Sequence, residues 1–565
     1  MKIAKAILKD KQEVHLGSFT LLVGPNNVGK SQTLRDIYTK LNAGVDAQTT
    51  IIQRLDIPKP SSWGEFSESL RIEPAIDQPQ NRIVRGLGSN LQSRTGHQIN
   101  IQSFEKQYAA EPTLDFMFGN IMQLFVAYLN AETRLQVAGA CASINPHEQI
   151  PERLLQSLFE SRPAEADFLE AFRAAFDLEV RLDLSGMSTL ALRIAKSFPK
   201  IPEDPRDQYP VMKEFPLLDL QGDGFRSFAG VVLSILLCKR RIILLDEPEA
   251  FLHPAQARIL GKWVARHSST AGNQIIVASH NANFLAGALE AASDVTIYRM
   301  NRHGDNTEFN RMSPEATKAL SENPILSSQR VLEAIFHRGV IVCEADSDRT
   351  FYNAVANQLA RAGDFLFVHA HNKQTIPSVI KILQEANIKC CAVVDIDGLN
   401  SSSEFKKLLA VCRVEKATAT RWLELRSKVG LAVDGISEEE VLRDVIANVR
   451  EFRRQLRRRQ HTLSGARAAL ARIRGGASKW ETIKENGLAA IPLSGRGAAE
   501  ILIGECAAAG LFIVPVGVVE SWIRLGVRKK SWLPAALESL QRNPPGSELA
   551  KFVRHLLLFV EVKST

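Results

Sequence analysis

Apolar positions along this chain cluster into short continuous runs separated by stretches of helical spacing. Phe19–Val23 is such a run, and a glycine-bearing loop, Gly24–Lys30, follows it at once. In Ser31–Leu41 the apolar residues Leu34, Ile37 and Leu41 then recur at helical spacing. This predicts strand, loop and helix in succession. Further continuous runs lie at Arg241–Leu245, Gln274–Ala278 and, more weakly, Asp294–Tyr298, with helical sequence between them. Runs apolar at every position are what strands covered on both faces require, so a parallel sheet is expected. A second pattern of the same kind begins near Arg338, with strands expected at Gly339–Cys343, Phe365–His369, Cys391–Val394 and Leu511–Pro515.

Two stretches interrupt these patterns. Residues from about 42 to 220 combine helical segments, such as Thr113–Leu129 and Arg153–Phe176, with polar proline-bearing ones, such as Pro58–Ser62 and Ser197–Pro210. A mainly helical insertion is expected there. A second helical insertion, about 400–505, carries the arginine-rich run Arg450–Arg474. The polar stretch Asn301–Ser328 reads as the exit from a first domain, so domains over 1–335 and 336–565 are expected. The fold class is α/β in both, and a length of 565 residues accommodates two large domains.

Composition narrows the partners more than the fold. A net charge of +8 favours a polyanion, with nucleic acid first. The seven cysteines are scattered without a CxxC pair, several within apolar runs such as VIVCEA, which suits a reduced protein and not a disulfide scaffold. The opening MKIAKAILKDKQEV has no uninterrupted apolar run, and the stretch Phe228–Cys238 is too short to span a bilayer. A soluble cytoplasmic protein with no membrane partner is expected.

The segment GPNNVGKS, Gly24 to Ser31, fits GxxxxGK[ST] between a strand and a helix. Glycines there let backbone N–H groups face phosphates. The expected nucleotide-binding residues are Gly24, Asn26, Asn27, Gly29, Lys30, Ser31 and Gln32, with Lys30 reaching the β- and γ-phosphates and Ser31 holding magnesium. Downstream, RIILLDEPEAFLHP places Asp246 and Glu247 at a strand end, suited to binding the magnesium and polarising the attacking water. His280 ends the next strand, within reach of a γ-phosphate. QGDGFRS places Gly222 and Gly224 just ahead of the apolar helix Phe228–Leu237, where a helix N-terminus favours anions.

The second half carries a different constellation. GVIVCEADSDR ends a strand at Glu344, with Asp348 four residues on; CAVVDIDG ends another with Asp395 and Asp397. Alternate residues of an extended segment point the same way, so these two carboxylates can converge. Glu520 follows the last strand. Carboxylates gathered at strand ends suit hard divalent cations, and two such cations assist phosphodiester cleavage.

The order GPNNVGKS, QGDGFRS, DEPEAFLHP, IIVASH resembles the ABC-type ATPases, specifically the chromosome-maintenance and DNA-repair branch. The resemblance implies that QGDGFRS stands for the signature loop, that His280 is the switch histidine, and that two subunits sandwich ATP, hence a homodimer or higher oligomer through the ATPase domain. The acids resemble the Toprim domain, and an ABC-type ATPase followed by Toprim is the arrangement of the OLD (overcoming lysogenization defect) nucleases. That implies a second metal at Asp348, a late acid at Glu520 and a late lysine, Lys530 being favoured over Lys529. The cofactors implied are ATP and Mg²⁺ or Mn²⁺, and the partner is DNA, with a further defence-system subunit or nucleic acid also compatible.

In the basic run, Val445, Val449, Phe452 and Leu456 form an apolar stripe, leaving Arg453, Arg454, Arg457 and Arg458 to face phosphates or solvent. The function expected is a nucleotide-regulated, metal-dependent DNA endonuclease or nickase, with antiphage defence as the family-level role. The alternative is a non-cutting, ATP-dependent DNA-binding sensor or repair scaffold. A topoisomerase would need a nucleophilic tyrosine, and all six tyrosines lie at or before Tyr352 without a catalytic setting. A transporter ATPase would leave the second acidic site without a purpose.

Overall fold

The computed structural model describes residues 1–67, 71–74, 81–145, 151–268, 272–291, 294–322, 329–359, 365–435, 438–457, 466, 470 and 479–561. The chain forms two compact units that divide between Phe336 and His337.

The first unit is built on a six-stranded sheet. Its strands are β1 (Phe19–Val23), β2 (Val126–Leu129), β3 (Ile242–Asp246), β4 (Gln274–Ala278), β5 (Thr296–His303) and β6 (Asn306–Arg311), in the spatial order β6-β5-β1-β4-β3-β2. Five run parallel, and β6 adds an antiparallel edge on β5. Every residue of β1, β3 and β4 is buried, which is why their sequences read as continuous apolar runs with no alternation. Registration aligns Asp246 with Ala278 and Val277 with Leu21, so the ends of β1, β3 and β4 meet at one edge of the sheet. Helices that matter to that edge are α1 (Lys30–Ala43), α2 (Ala131–Val137), α3 (Asp223–Leu237) and α4 (Pro254–His267). In α3, residues from Ser227 to Ile235 are all buried, as expected of a helix apolar on every side.

Among its described residues, the stretch 42–220 is not mainly helical. It contributes β2 to the central sheet, and three small antiparallel sheets draw strands from it: Ile52–Asp56; Arg71–Pro74, Asn81–Leu87 and Arg94–Asn100; and Cys141–Ala142, Glu179–Asp183 and Thr189–Ala195. Thr113–Leu129, expected as a helix, is two 3₁₀ turns and then β2. Gly119, at φ 81°, breaks the helix, and the four-residue apolar run after it pairs with β3. A short apolar run carries no periodicity that separates strand from buried helix.

The second unit holds a four-stranded, all-parallel sheet: β7 (Gly339–Cys343), β8 (Phe365–His369), β9 (Lys389–Val394) and β10 (Leu511–Ile513), ordered β8-β7-β9-β10. Cys343 lies level with His369 and Val393, which sets the chain leaving β7 beside the chain leaving β8 and β9. The helices of this unit that bear on the site are α5 (Asp346–Gln358), α6 (Glu438–Arg457), α7 (Lys479–Asn486) and α8 (Lys529–Arg542). The described residues between β9 and β10 are helical apart from short connections, as their sequence predicts. Among the described residues, no helix is long and apolar enough to cross a membrane.

Candidate nucleotide and metal sites

The P-loop turns through three positive-φ residues: Gly24 at 142°, Asn27 at 64° and Gly29 at 98°. Gly24 also admits no side chain, because a Cβ there would stand 2.5 Å from the Met300 carbonyl oxygen. The Lys30 ammonium curls over the loop and donates to the carbonyls of Gly24 and Pro25, both at 2.8 Å. Burial lowers its pKa to about 8, against the opposing pull of Glu247, Glu249 and Asp246. A polyphosphate placed in the loop supplies the negative charge that would favour the ammonium. Ser31 donates to Asp246 Oδ1 at 2.7 Å, and the Tyr128 hydroxyl donates to Oδ2 at 3.2 Å. Asn26 and Asn27 are exposed. Gln32 instead turns along α1 to Asp36, at 2.8 Å, and Asp36 in turn accepts the backbone N–H groups of Thr50, Ile51 and Ile52.

Glu247 leaves β3 in the left-handed region, at φ 50°. His280 Nδ1 lies 3.0 Å from its carboxylate. That hydrogen bond is the first cause both of the lowered Glu247 pKa and of the raised His280 pKa. Behind them Glu249 is buried, accepting from the Ser279 hydroxyl at 2.8 Å and the His280 N–H at 3.2 Å, and burial raises its pKa.

The helix α3 begins at Asp223, with Gly222 as its N-cap, so Gly224 lies within its first turn and not in a loop ahead of it. A Cβ on Gly224 would come within 2.8 Å of the Phe251 carbonyl oxygen. Sequence reading did not single out Arg134 on α2. Its side chain is fully buried and donates to Ser227 Oγ on α3 (3.1 Å), to the carbonyls of Leu129 (3.1 Å) and Glu247 (2.9 Å), and to that of Asp246.

In the second unit Glu344 follows β7, Asp395 follows β9, and Asp397 sits in the 3₁₀ turn Ile396–Leu399. Ligand atoms of these three acids lie within 4.8 Å of one another. Burial pushes Asp395 up to about 8, reinforced by Asp348, Glu344 and Asp397. Glu344 is raised first by burial and then by Asp397. Glu344 Oε2 and Asp397 Oδ1 are buried without a hydrogen-bond partner. Buried, unpartnered carboxylate oxygens facing like charge are costly unless a cation is bound, so the donor set fits a hard divalent ion.

Asp348 stands apart from that trio as the capping acid of α5, accepting the Ala345 N–H at 3.2 Å and the Ser347 hydroxyl at 3.0 Å. Burial raises its pKa, and the charge of Glu520 adds to this. Glu520 lies in the turn Val519–Trp522 and pairs with Lys529 Nζ at 3.1 Å. Of the two late lysines, both exposed, it is therefore Lys529 and not Lys530 that meets an acid here. Two other lysines come closer to the trio. Lys484 on α7 donates to Asp397 Oδ2 at 2.8 Å, and Lys373, after β8, sits 3.0 Å from Glu404 and 3.8 Å from Asp397. Lys373 could have been found from its place just past a strand end. Lys484 had no local signal, since it lies in an insertion far from any strand.

On α6, Arg453 and Arg454 are exposed, and Arg454 pairs with Glu451 at 2.6 Å. Leu456, placed in the apolar stripe, is 47% exposed. Arg458 and the side chain of Arg457 lie outside the described residues.

Comparison with known proteins adds two family matches. Residues 152–286 match the profile described as "AAA domain, putative AbiEii toxin, Type IV TA system", and residues 335–397 match "Overcoming lysogenization defect protein-like, TOPRIM domain". The first span contains Gly222, Asp246 and His280; the second runs from β7 to Asp397. An uncharacterized protein of Methanocaldococcus jannaschii, MJECL11, is 26% identical over 105 residues, 18% of this chain and 92% of that protein. Among solved structures, an SMC head bound to the C-terminal winged-helix domain of ScpA aligns at 13% identity over 55% of this chain and 98% of its own, with a TM-score of 0.32. The SMC head domain from Thermotoga maritima aligns at 13% identity over 55% and 100%, with a TM-score of 0.29. The two family matches, an AAA-type ATPase domain followed on one chain by an OLD-like Toprim domain, are those of an OLD-family ATPase–Toprim fusion, and this chain matches that arrangement.

Proposed function

We propose that this protein is a nucleotide-regulated, divalent-metal-dependent DNA endonuclease or nickase that acts in antiphage defence. The observation that carries the reading is the convergence of Glu344, Asp395 and Asp397 within 4.8 Å, two of them with buried oxygens lacking a hydrogen-bond partner. Mg²⁺ or Mn²⁺ held there would supply an activated water and charge stabilisation at the leaving oxygen. The chain's own contribution is orientation. Glu344 and Asp395 are fixed by parallel strand ends and Asp397 by the 3₁₀ turn that follows β9, and Lys484 holds Asp397 through Oδ2 while Oδ1 lacks a hydrogen bond. Lys373 adds positive charge beside the same acid, where a backbone phosphate would approach.

In the ATPase domain, Lys30 and the P-loop backbone would bind the phosphates of ATP, and Ser31 with Asp246 would hold magnesium. Glu247, held 3.0 Å from His280, would accept a proton from water. Nucleotide would bring two copies together through this domain, with the signature residues Gly222 and Gly224 completing the partner's site. DNA is the partner of the second site, Arg453 and Arg454 are candidate phosphate contacts outside it, and the cytoplasm is where the protein would act.

Cleavage of supercoiled plasmid, with Mg²⁺ or Mn²⁺ and with or without ATP, tests the reading. Wild-type protein is expected to give nicked or linear product. The Asp395→Ala/Asp397→Ala variant should lose at least about 100-fold in rate, because it removes two ligands of the metal. Equal cutting by the two proteins would end the assignment of this site.

A further inference from the structure

The helix α3 and the backbone of Glu247 belong to separate elements of the first unit, and one buried side chain, Arg134, bonds to both. Arg134 is fully buried on a short helix, α2, that is tied to α3 in several ways. Gly230 of α3 seats directly against the Arg134 backbone, where a Cβ would lie 2.3 Å from its carbonyl oxygen. Arg226 of α3 donates to the Leu135 carbonyl at 3.0 Å, and Ser227 accepts from Arg134 Nε at 3.1 Å. So close an approach makes α2 and α3 move as one body. From that body the guanidinium projects onto the end of β3, donating to the carbonyls of Asp246 and Glu247. Glu247 is the residue held at φ 50°, a conformation that a non-glycine residue keeps only when its surroundings impose it.

We propose that Arg134 is a positioning residue that transmits the state of α3, and hence of the Gly222–Gly224 end that a second subunit's nucleotide would engage, to the backbone carrying Glu247. It touches no substrate. A rigid α2–α3 pair that shifts on nucleotide engagement carries the guanidinium with it, and the two carbonyls it holds set where the Glu247 carboxylate stands. The proposal rests on the ATPase reading above and specifies how that site is regulated.

The test compares wild-type protein with Ser227→Ala, Arg134→Lys and Arg134→Gln. Melting temperature, binding of a fluorescent ATP analogue and steady-state ATP turnover are measured for each. Ser227→Ala removes the hydrogen bond that joins the Arg134 guanidinium to α3 and leaves its three other acceptors, the carbonyls of Leu129, Asp246 and Glu247, in place, so it guards against a variant that fails to fold. The expected result is unchanged nucleotide affinity with kcat at least fivefold lower in Ser227→Ala and lower still in Arg134→Gln. Arg134→Lys, a cation without the planar fork, should not restore it. In the Ser227→Ala/Arg134→Lys double variant the losses in kcat should not multiply, because both act through one link. Ser227→Ala turnover equal to wild type, or losses that multiply, overturns the role. A wild-type protein that binds no nucleotide and has no turnover overturns the ATPase reading itself, and this role with it.

Discussion

At the scale of single residues, the behaviour of the acidic trio follows from burial and like charge. Asp395, raised to about 8, keeps its proton in the folded protein at pH values where an unfolded chain has lost it. A carboxyl raised on folding stabilises the fold fully below its ordinary pKa, and that contribution is lost as pH climbs through the folded value. Glu344 and Asp348 are raised in the same direction, and so is His280. Metal-free protein is therefore expected to melt progressively lower between pH 5 and about pH 8. Mg²⁺ or Mn²⁺ should flatten that decline, since a bound cation offsets the charge that the departing proton uncovers. Asp395→Asn, neutral throughout, should melt above wild type at pH 8 without metal and gain less from metal. Thermal melts across pH, with chelator and with each cation, decide this. A metal-free wild type that is as stable at pH 8 as at pH 5 contradicts it.

At the scale of elements, the consequential feature is how close α2 and α3 come. The absence of a side chain at Gly230 is what permits the contact, because even a methyl would overlap the Arg134 carbonyl. Gly230→Ala in an isolated helix would be favourable by up to about 1 kcal/mol. Here the overlap should dominate and cost about 1–3 kcal/mol of stability. The variant should therefore melt lower, and ATP turnover should fall as Arg134 is pushed off the end of β3. Calorimetry beside a turnover assay checks both. A stabilised Gly230→Ala would mean that helix propensity outweighs the contact. The same scale explains the small capping role of Asp348. A helix that starts two residues past Glu344 leaves the N–H of its N-cap residue, Ala345, in need of an acceptor, and Asp348 supplies it.

At the scale of the whole molecule, the proposed regulation joins two chemistries on one chain. Glu247→Gln keeps the shape of the side chain but removes its ability to take a proton. It is expected to bind ATP, to hydrolyse it at least about 100-fold more slowly, and to accumulate as a nucleotide-bound dimer. Sedimentation with and without ATP reads the dimer, and plasmid cleavage by the trapped form gives the sign of the coupling. A Glu247→Gln protein that stays monomeric with ATP would remove the dimer from the scheme, while leaving the nuclease assignment to its own test.

Much of this was legible in the chain itself. GPNNVGKS after an apolar run, DEP at the end of another and the Glu344…Asp395-x-Asp397 spacing are local signals, because a phosphate loop or a strand-end carboxylate depends on residues adjacent in sequence. The sequence by itself therefore determined the α/β class and the buried strands β1, β3, β4 and β7, and it named candidates for each site. Contacts between distant segments were not legible. The strand β2 came out of a run that reads equally well as helix, and the antiparallel sheets of 42–220 are set by pairings that no local period encodes. Lys484 reaches Asp397 across 87 positions of sequence, and Arg134 reaches Asp246 and Glu247 across 112 and 113. Only the tertiary structure decided those, because a lysine or an arginine looks the same in sequence whether it faces solvent or a buried acceptor.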